Sequence, residues 1–188
     1  MQRAMIAVAL AALAGCATTQ VPVDAGRAYG SATYGFAFDA PAPYVAREVG
    51  PGSLTVGSSA PGGGFEPAAE VRLSVAGEGA DFPSFETYAL AMLRDVCAVG
   101  EADACGGAER RQPFATASGL EGEALYLARG ADGFGPVFLF DVSEEVPGDG
   151  WAALAVLPPA SLPAAEVDSA LLRRIAGSLS MGTVRPGS

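Results

Sequence analysis

Val137-Phe138-Leu139-Phe140-Asp141-Val142 and Trp151-Ala152-Ala153-Leu154-Ala155-Val156-Leu157 stand one turn apart and are apolar at almost every position. Successive side chains of a strand point to opposite sides, so a strand with one wet face alternates apolar and polar residues. Here the alternation is missing. Both runs are therefore expected in the middle of a sheet that is covered on both faces.

The sequence outward from this pair reads the same way. Gln112 to Ala117 and Glu123 to Arg129 are two further strand-like runs, and the Gly-rich turns between all four predict antiparallel hairpins. Closer to the N-terminus, Tyr34, Phe36 and Phe38 alternate with smaller residues from about Ser31 and are stopped by Pro41 and Pro43. Tyr44 to Val49 and Ser53 to Ser58 read as one or two short strands, and Val71, Leu73 and Val75 alternate in another. Gly62-Gly63-Gly64 reads as a turn, because a phosphate-binding loop would need a helix directly after it and none is predicted.

Two helices complete the pattern. Ser84 is placed to cap the first, in which Phe85, Tyr88, Ala89, Met92, Leu93, Val96 and Cys97 recur at helical spacing and define one buried stripe. The second is expected over Ala164 to Leu179, with Ala164, Val167, Leu171, Leu172, Ile175, Ala176 and Leu179 inward and Asp168 the single break. The prediction is an α+β domain over residues 31–181: an antiparallel sheet of about six to seven strands with helices packed on its faces. Residues 182–188 read as a flexible tail.

Composition narrows the chemistry. The 11 basic residues are all Arg, with no Lys and no His, against 21 Asp and Glu, giving a net charge of −10. Without imidazole or a lysine amine there is no Ser-His-Asp or Cys-His site, no lysine Schiff base and no Walker lysine. The acidic balance argues against nucleic acid as a partner. Half the residues are apolar, but many are Ala, which buries little area, and 25 Gly with 14 Pro imply many turns.

Met1-Gln2-Arg3 is a short positive start, and Ala4 to Ala14 is an apolar run too short to span a bilayer, since spanning takes about 20 helical residues. The run closes in Leu13-Ala14-Gly15-Cys16, which resembles the lipobox of bacterial lipoproteins at every position. The resemblance implies that residues 1–15 are a signal peptide and that Cys16 becomes the lipidated first residue. The membrane is then a partner through acyl chains on Cys16, facing the periplasm. Ala17 after the Cys, in place of Asp, implies the outer rather than the inner membrane. Residues 16–30 read as a tether with a root-mean-square reach of about 20 Å. Processing removes Arg3 and leaves 10 Arg against 21 carboxylates, a charge of −11, so contact with anionic headgroups should be confined to the lipid.

Of three cysteines, one is then lipidated and Cys97 and Cys105 remain. In an oxidising periplasm they are expected to pair, closing a small ring for about 2.5 kcal/mol of chain entropy. The rival readings, a reactive thiol or a metal pair, lack the C-x-x-C spacing and any His to complete a ligand set.

The order of strands, helix, strand meander and terminal helix is similar to that of the PsbP-like fold, shared by lumenal photosystem proteins and periplasmic DcrB-like lipoproteins. The residues that carry the resemblance are Tyr34-Gly35-Phe36-Ala37-Phe38-Asp39-Ala40-Pro41, Ser84-Phe85-Glu86-Thr87-Tyr88 and Leu171-Leu172-Arg173-Arg174-Ile175-Ala176-Gly177-Ser178-Leu179. It implies an α/β/α sandwich and a binding or assembly role without catalysis.

Carboxylates are the remaining plentiful acids and bases. Glu121 and Glu123 have strand spacing that puts them on one face, and Glu144-Glu145 sits at a turn. The acidic loop with Glu101, Asp103 and Glu109, and the turns at Asp132-Gly133 and Asp149-Gly150, lack the calcium ligand ladder. Arg110-Arg111 and Arg173-Arg174 are candidate anion clamps or balancing charges. The expectation is no catalytic residue, cofactor or metal site, and an envelope-protein partner for a lipid-anchored domain. The alternatives are a carrier of a small apolar or lipid ligand, which needs an apolar cavity, and a carboxylate-dependent hydrolase of cell-wall glycan, which needs two close carboxylates in a cleft.

Overall fold

The computed structural model describes residues 27–31, 34–76, 82–97, 105–129, 134–148 and 150–182, excluding the side chains of 95–97, 105–109, 128, 129 and 164. In chain order the elements are β1 (Arg27–Ser31), β2 (Phe36–Ala40), β3 (Val45–Gly50), β4 (Ser53–Ser59), β5 (Phe65–Val75), α1 (Phe85–Cys97), β6 (Cys105–Ala115), β7 (Glu121–Arg129), β8 (Phe134–Asp141), β9 (Ala152–Leu157), a 3-10 turn (Ala164–Glu166), α2 (Ser169–Ser178) and β10 (Ser180–Met181). The expected signal peptide, Cys16 and most of the expected tether lie outside the described residues.

Seven strands form one antiparallel sheet in the order β3-β4-β5-β9-β8-β7-β6. The wholly apolar β9 is its middle strand, buried at all six positions, and β8 lies beside it. Strand parity then divides the core. Leu125, Leu127, Val137, Leu139, Ala153, Ala155 and Leu157 face α1 and meet Ala89, Met92 and Leu93. The alternate residues Ala124, Phe138, Phe140, Leu154 and Val156 face the other way, against Leu171, Leu172, Ile175 and Ala176 of α2. That second layer also holds a small sheet, β1-β2-β10, which adds Phe36, Phe38 and Ala40. The architecture is an α+β sandwich with a helix on each face, as the two apolar strands required.

Among the described residues, cover on the α1 face is partial, and that helix packs mainly on β7, β8 and β9. On β4 and β5 the residues facing α2 are buried (Leu54, Val56, Val71, Leu73), whereas Ser53, Thr55, Glu70, Arg72 and Ser74 on the α1 side are half-buried. The one-sided alternation of those strands matches a face left to water. Charged residues and irregularity guard the sheet edges: Arg47, Glu48 and a bulge on β3, Arg110, Arg111 and Pro113 on β6.

Three boundaries differ from the sequence reading. Arg27–Ser31, inside the stretch expected to be tether, is a strand and pairs with Ala40–Phe36 of β2. The expected acidic loop is shorter, since β6 begins at Cys105 and pairs with Arg129. The second helix starts at Ser169, and Asp168 is its cap: one carboxylate oxygen accepts from Ala170 N at 3.0 Å and Leu171 N at 2.9 Å. A short acid at this position satisfies N–H groups that have no partner within the helix, so the break in the apolar pattern is the helix start. Asp168→Ala is expected to lower unfolding free energy by about 1 kcal/mol, read from a urea midpoint shift at unchanged slope. Among the described residues no helix is long and apolar enough to cross a membrane.

Candidate functional site

Helix α1 is fixed at its start by its own sequence. Thr87 N donates to Ser84 Oγ at 3.3 Å and Ser84 N donates to Thr87 Oγ1 at 3.2 Å, a reciprocal cap of the capping-box kind. One turn on, the Tyr88 ring stacks on Trp151 with centroids 4.2 Å apart, and its hydroxyl hydrogen-bonds to Ser74 Oγ. Trp151 Nε1 donates to Phe82 O at 2.8 Å, so the sheet holds the segment leading into the helix as well. With its N-terminal end pinned and Ala89, Met92 and Leu93 buried, α1 turns Glu86 and Leu90 outward along one flank.

That flank is one wall of an open cleft of about 420 Å³. The opposite wall is the α1 face of β6, β7 and β8, which supplies Arg111, Glu121, Glu123 and Asp141, with Leu139 between them. Phe85, Ala89, Leu90 and Leu93 complete an apolar floor and lip. Leu90 is 55 % exposed, high for a leucine beside a core. Four carboxylates thus face one guanidinium, and that one is committed: Arg111 lies 3.2 Å from Glu123, with both side chains about half exposed. An ion pair so open to water contributes about 0–1 kcal/mol. Asp141 accepts from the backbone N–H of Ser143 at 3.1 Å and from its hydroxyl. Among the described residues no basic side chain pairs with Glu86, Glu121 or Asp141.

The structure brings together Glu121 and Glu123, which the strand spacing had placed on one face. Glu144 and Glu145 are exposed on the turn after β8. Arg110 and Arg111 do not form a clamp: neighbours on a strand point to opposite faces, so Arg111 joins the cleft while Arg110 lies 3.8 Å over the Tyr126 ring on the α2 side. Arg173 lies over Phe114 and Phe138 at 5.7 and 5.6 Å, a stacking role on the core rather than an anion site. Cys97 ends α1 and Cys105 opens β6, but their side chains lie outside the described residues, as do Glu101, Asp103, Asp132, Asp149 and the Glu109 side chain. Sequence reasoning missed Glu86, Arg111 and Asp141 as partners in the cleft. The signal for Asp141 was its even spacing from Val137 and Leu139 on β8.

The molecule so described is an antiparallel α+β domain with an acidic, apolar-floored cleft at the edge of its partly covered face. No family model and no curated protein matches the chain. Among solved structures it is similar to cyanobacterial PsbP (CyanoP) from Synechocystis, with a TM-score of 0.46 and 12% identity over 90% of this chain and 98% of that one. A crystallised protein of Bacteroides thetaiotaomicron gives 0.32 and 14%, over 87% of this chain and 50% of that one. At such identities the likeness concerns the fold alone, and the fold class itself rests on the strand pairing above.

Proposed function

We propose that this chain is a lipid-anchored envelope protein whose domain binds another envelope protein and has no catalytic role. The observation that carries the reading is the run Leu13-Ala14-Gly15-Cys16 directly after a positive start and an apolar stretch too short to span a bilayer. Cleavage before Cys16 and acylation of its thiol and amine would hold the domain at the membrane, outer rather than inner given Ala17, and facing the periplasm. The expected tether of residues 16–30 would then overlap β1, which starts at Arg27. In that oxidising compartment Cys97 and Cys105 would pair and tie the end of α1 to the start of β6.

Intact mass of the protein extracted from native membranes tests both points. The expected mass is residues 16–188 plus acyl chains, with two thiols alkylated only after reduction. Retention of residues 1–15, or a mature chain without lipid, would sink the anchor, and alkylation without reduction would sink the disulfide.

A second reading, hydrolysis of cell-wall glycan, has one observation in its favour: Glu121, Glu123 and Asp141 share a cleft. Against it, Glu123 is held by Arg111, Asp141 accepts from Ser143, and Glu121 stands in open water. A glycosidase needs one acid and one base kept for the substrate on either side of the scissile bond. The binding reading expects the purified chain to leave no cleared zone in a peptidoglycan gel, whereas clearing abolished by Glu121→Gln would make the hydrolase the better account.

A further inference from the structure

We propose that the cleft between α1 and β6–β8 is a docking groove for a basic, apolar polypeptide segment, one that presents Arg or Lys beside a bulky aliphatic or aromatic side chain. The proposal rests on the binding role put forward above and names the chemistry of the partner.

Charge complementarity selects the occupant. The groove carries Glu86, Glu121, Glu123 and Asp141 against Arg111 alone, and Arg111 is already spent on Glu123. Glu86 and Glu121, which pair with no basic side chain among the described residues, are on opposite walls, one on the helix and one on β7, so a cation entering between them is attracted from both sides. The floor asks for something else. Phe85, Leu90, Leu93 and Leu139 offer apolar area, and Leu90 leaves more than half of its surface in water although it borders the core. A bare metal ion or polyamine would leave that area wet, and a neutral lipid chain would leave the carboxylates unmatched. A segment with both features satisfies both walls, as in the recognition of amphipathic peptides by grooves. A second copy of this chain is a poor fit, because at a net charge of −10 it would bring mostly like charge to the groove.

The test uses the full-length chain as purified from its host, in neutral detergent, and a capped hexapeptide of alternating lysine and photoreactive leucine. Binding is followed by fluorescence anisotropy, and the attachment site is mapped by mass spectrometry after illumination. The expected crosslinks fall on residues 86–93 and 121–123. Combined Glu121→Gln and Asp141→Asn should weaken binding about five- to tenfold, the sum of two exposed charge contacts. Leu90→Ser should weaken it about three- to tenfold through lost apolar burial. Glu144→Gln with Glu145→Gln removes the same charge from the turn that follows Asp141, at positions that do not line the groove, and should change affinity by less than about twofold. All of these positions are exposed, and an unchanged melting curve verifies that each variant folds. The groove is refuted if crosslinks scatter over the surface, if the turn variant weakens binding as much as the groove variant, if Leu90→Ser has no effect, or if spermine displaces the peptide as well as unlabelled peptide does. None of those outcomes would touch acylation of Cys16. Peptide bound in the groove of a chain that carries no lipid would instead overturn the lipoprotein reading and leave the groove standing.

Discussion

Phe138→Ala is expected to lower the unfolding free energy by about 3–5 kcal/mol, a large part of what a domain of this size has. Phe138 is fully buried on β8 and faces α2. Its ring lies 4.6 Å from that of Phe114 on β6, tilted by 58°, and the guanidinium of Arg173 on α2 sits 5.6 Å away. Three elements therefore converge on one side chain. Truncation removes the transfer free energy of the ring and leaves a cavity, because neighbours pinned in a sheet can close in only partly. Phe114 loses its nearest ring partner at the same time and keeps longer contacts, with the Phe140 ring at 6.1 Å and the Arg173 guanidinium at 5.7 Å. Urea unfolding followed by Trp151 fluorescence is the measurement, with Val49→Ala as control. Val49 is 67 % exposed on an edge strand, so its truncation should stay within about 0.5 kcal/mol of zero. Equal effects at the two positions would mean that β8 is not the centre of the core.

Cys16→Ser is expected to move the protein from the membrane pellet to the soluble fraction completely. Each buried methylene of an acyl chain contributes about 0.8 kcal/mol, and stable attachment takes two anchoring signals. The proposed lipoprotein would have two or three chains, and its net negative charge repels anionic headgroups. Serine cannot accept the thioether-linked diacylglycerol. Fractionation of cells producing the variant, with the mass of the N-terminus, reads the result. If Cys16→Ser fractionates like the parent chain, Cys16 is an ordinary residue and the lipoprotein reading fails, whatever the domain binds.

Much of the fold is legible in local pattern. The two doubly apolar runs announced a sheet covered on both sides, and their strands are the middle strand and its neighbour. The i, i+3, i+4 stripe from Phe85 with Ser84 before it placed α1 to the residue at its start. Asp168 shows where pattern reading slips. An acid inside an apolar repeat looks like a flaw in a long helix, yet it is the cap of a shorter one, and only the hydrogen bonds to Ala170 and Leu171 distinguish the two. Arg27–Ser31 was hidden for another reason: an edge strand whose first two residues are exposed has no periodic signal and is held by pairing with β2.

The cleft divides in the same way. Side chains two apart on a strand share a face whatever surrounds them, so the sequence alone was enough to join Glu121 to Glu123 and to separate Arg110 from Arg111, had parity been applied to both pairs. It was also enough to define the charge, the absence of imidazole and lysine amine, and the apolar character of β8 and β9. The turns between the last four strands already implied their order, but local periodicity cannot set the register between them, or say which half of a face a helix will cover. The register of β6, β7 and β8 carried Arg111 to Glu123 and Asp141 to the same wall, and the anchoring of Tyr88 on Trp151 and Ser74 set Glu86 and Leu90 opposite them. Those contacts join residues far apart in the chain, and their geometry is settled by register and packing, which exist only once the sheet has formed.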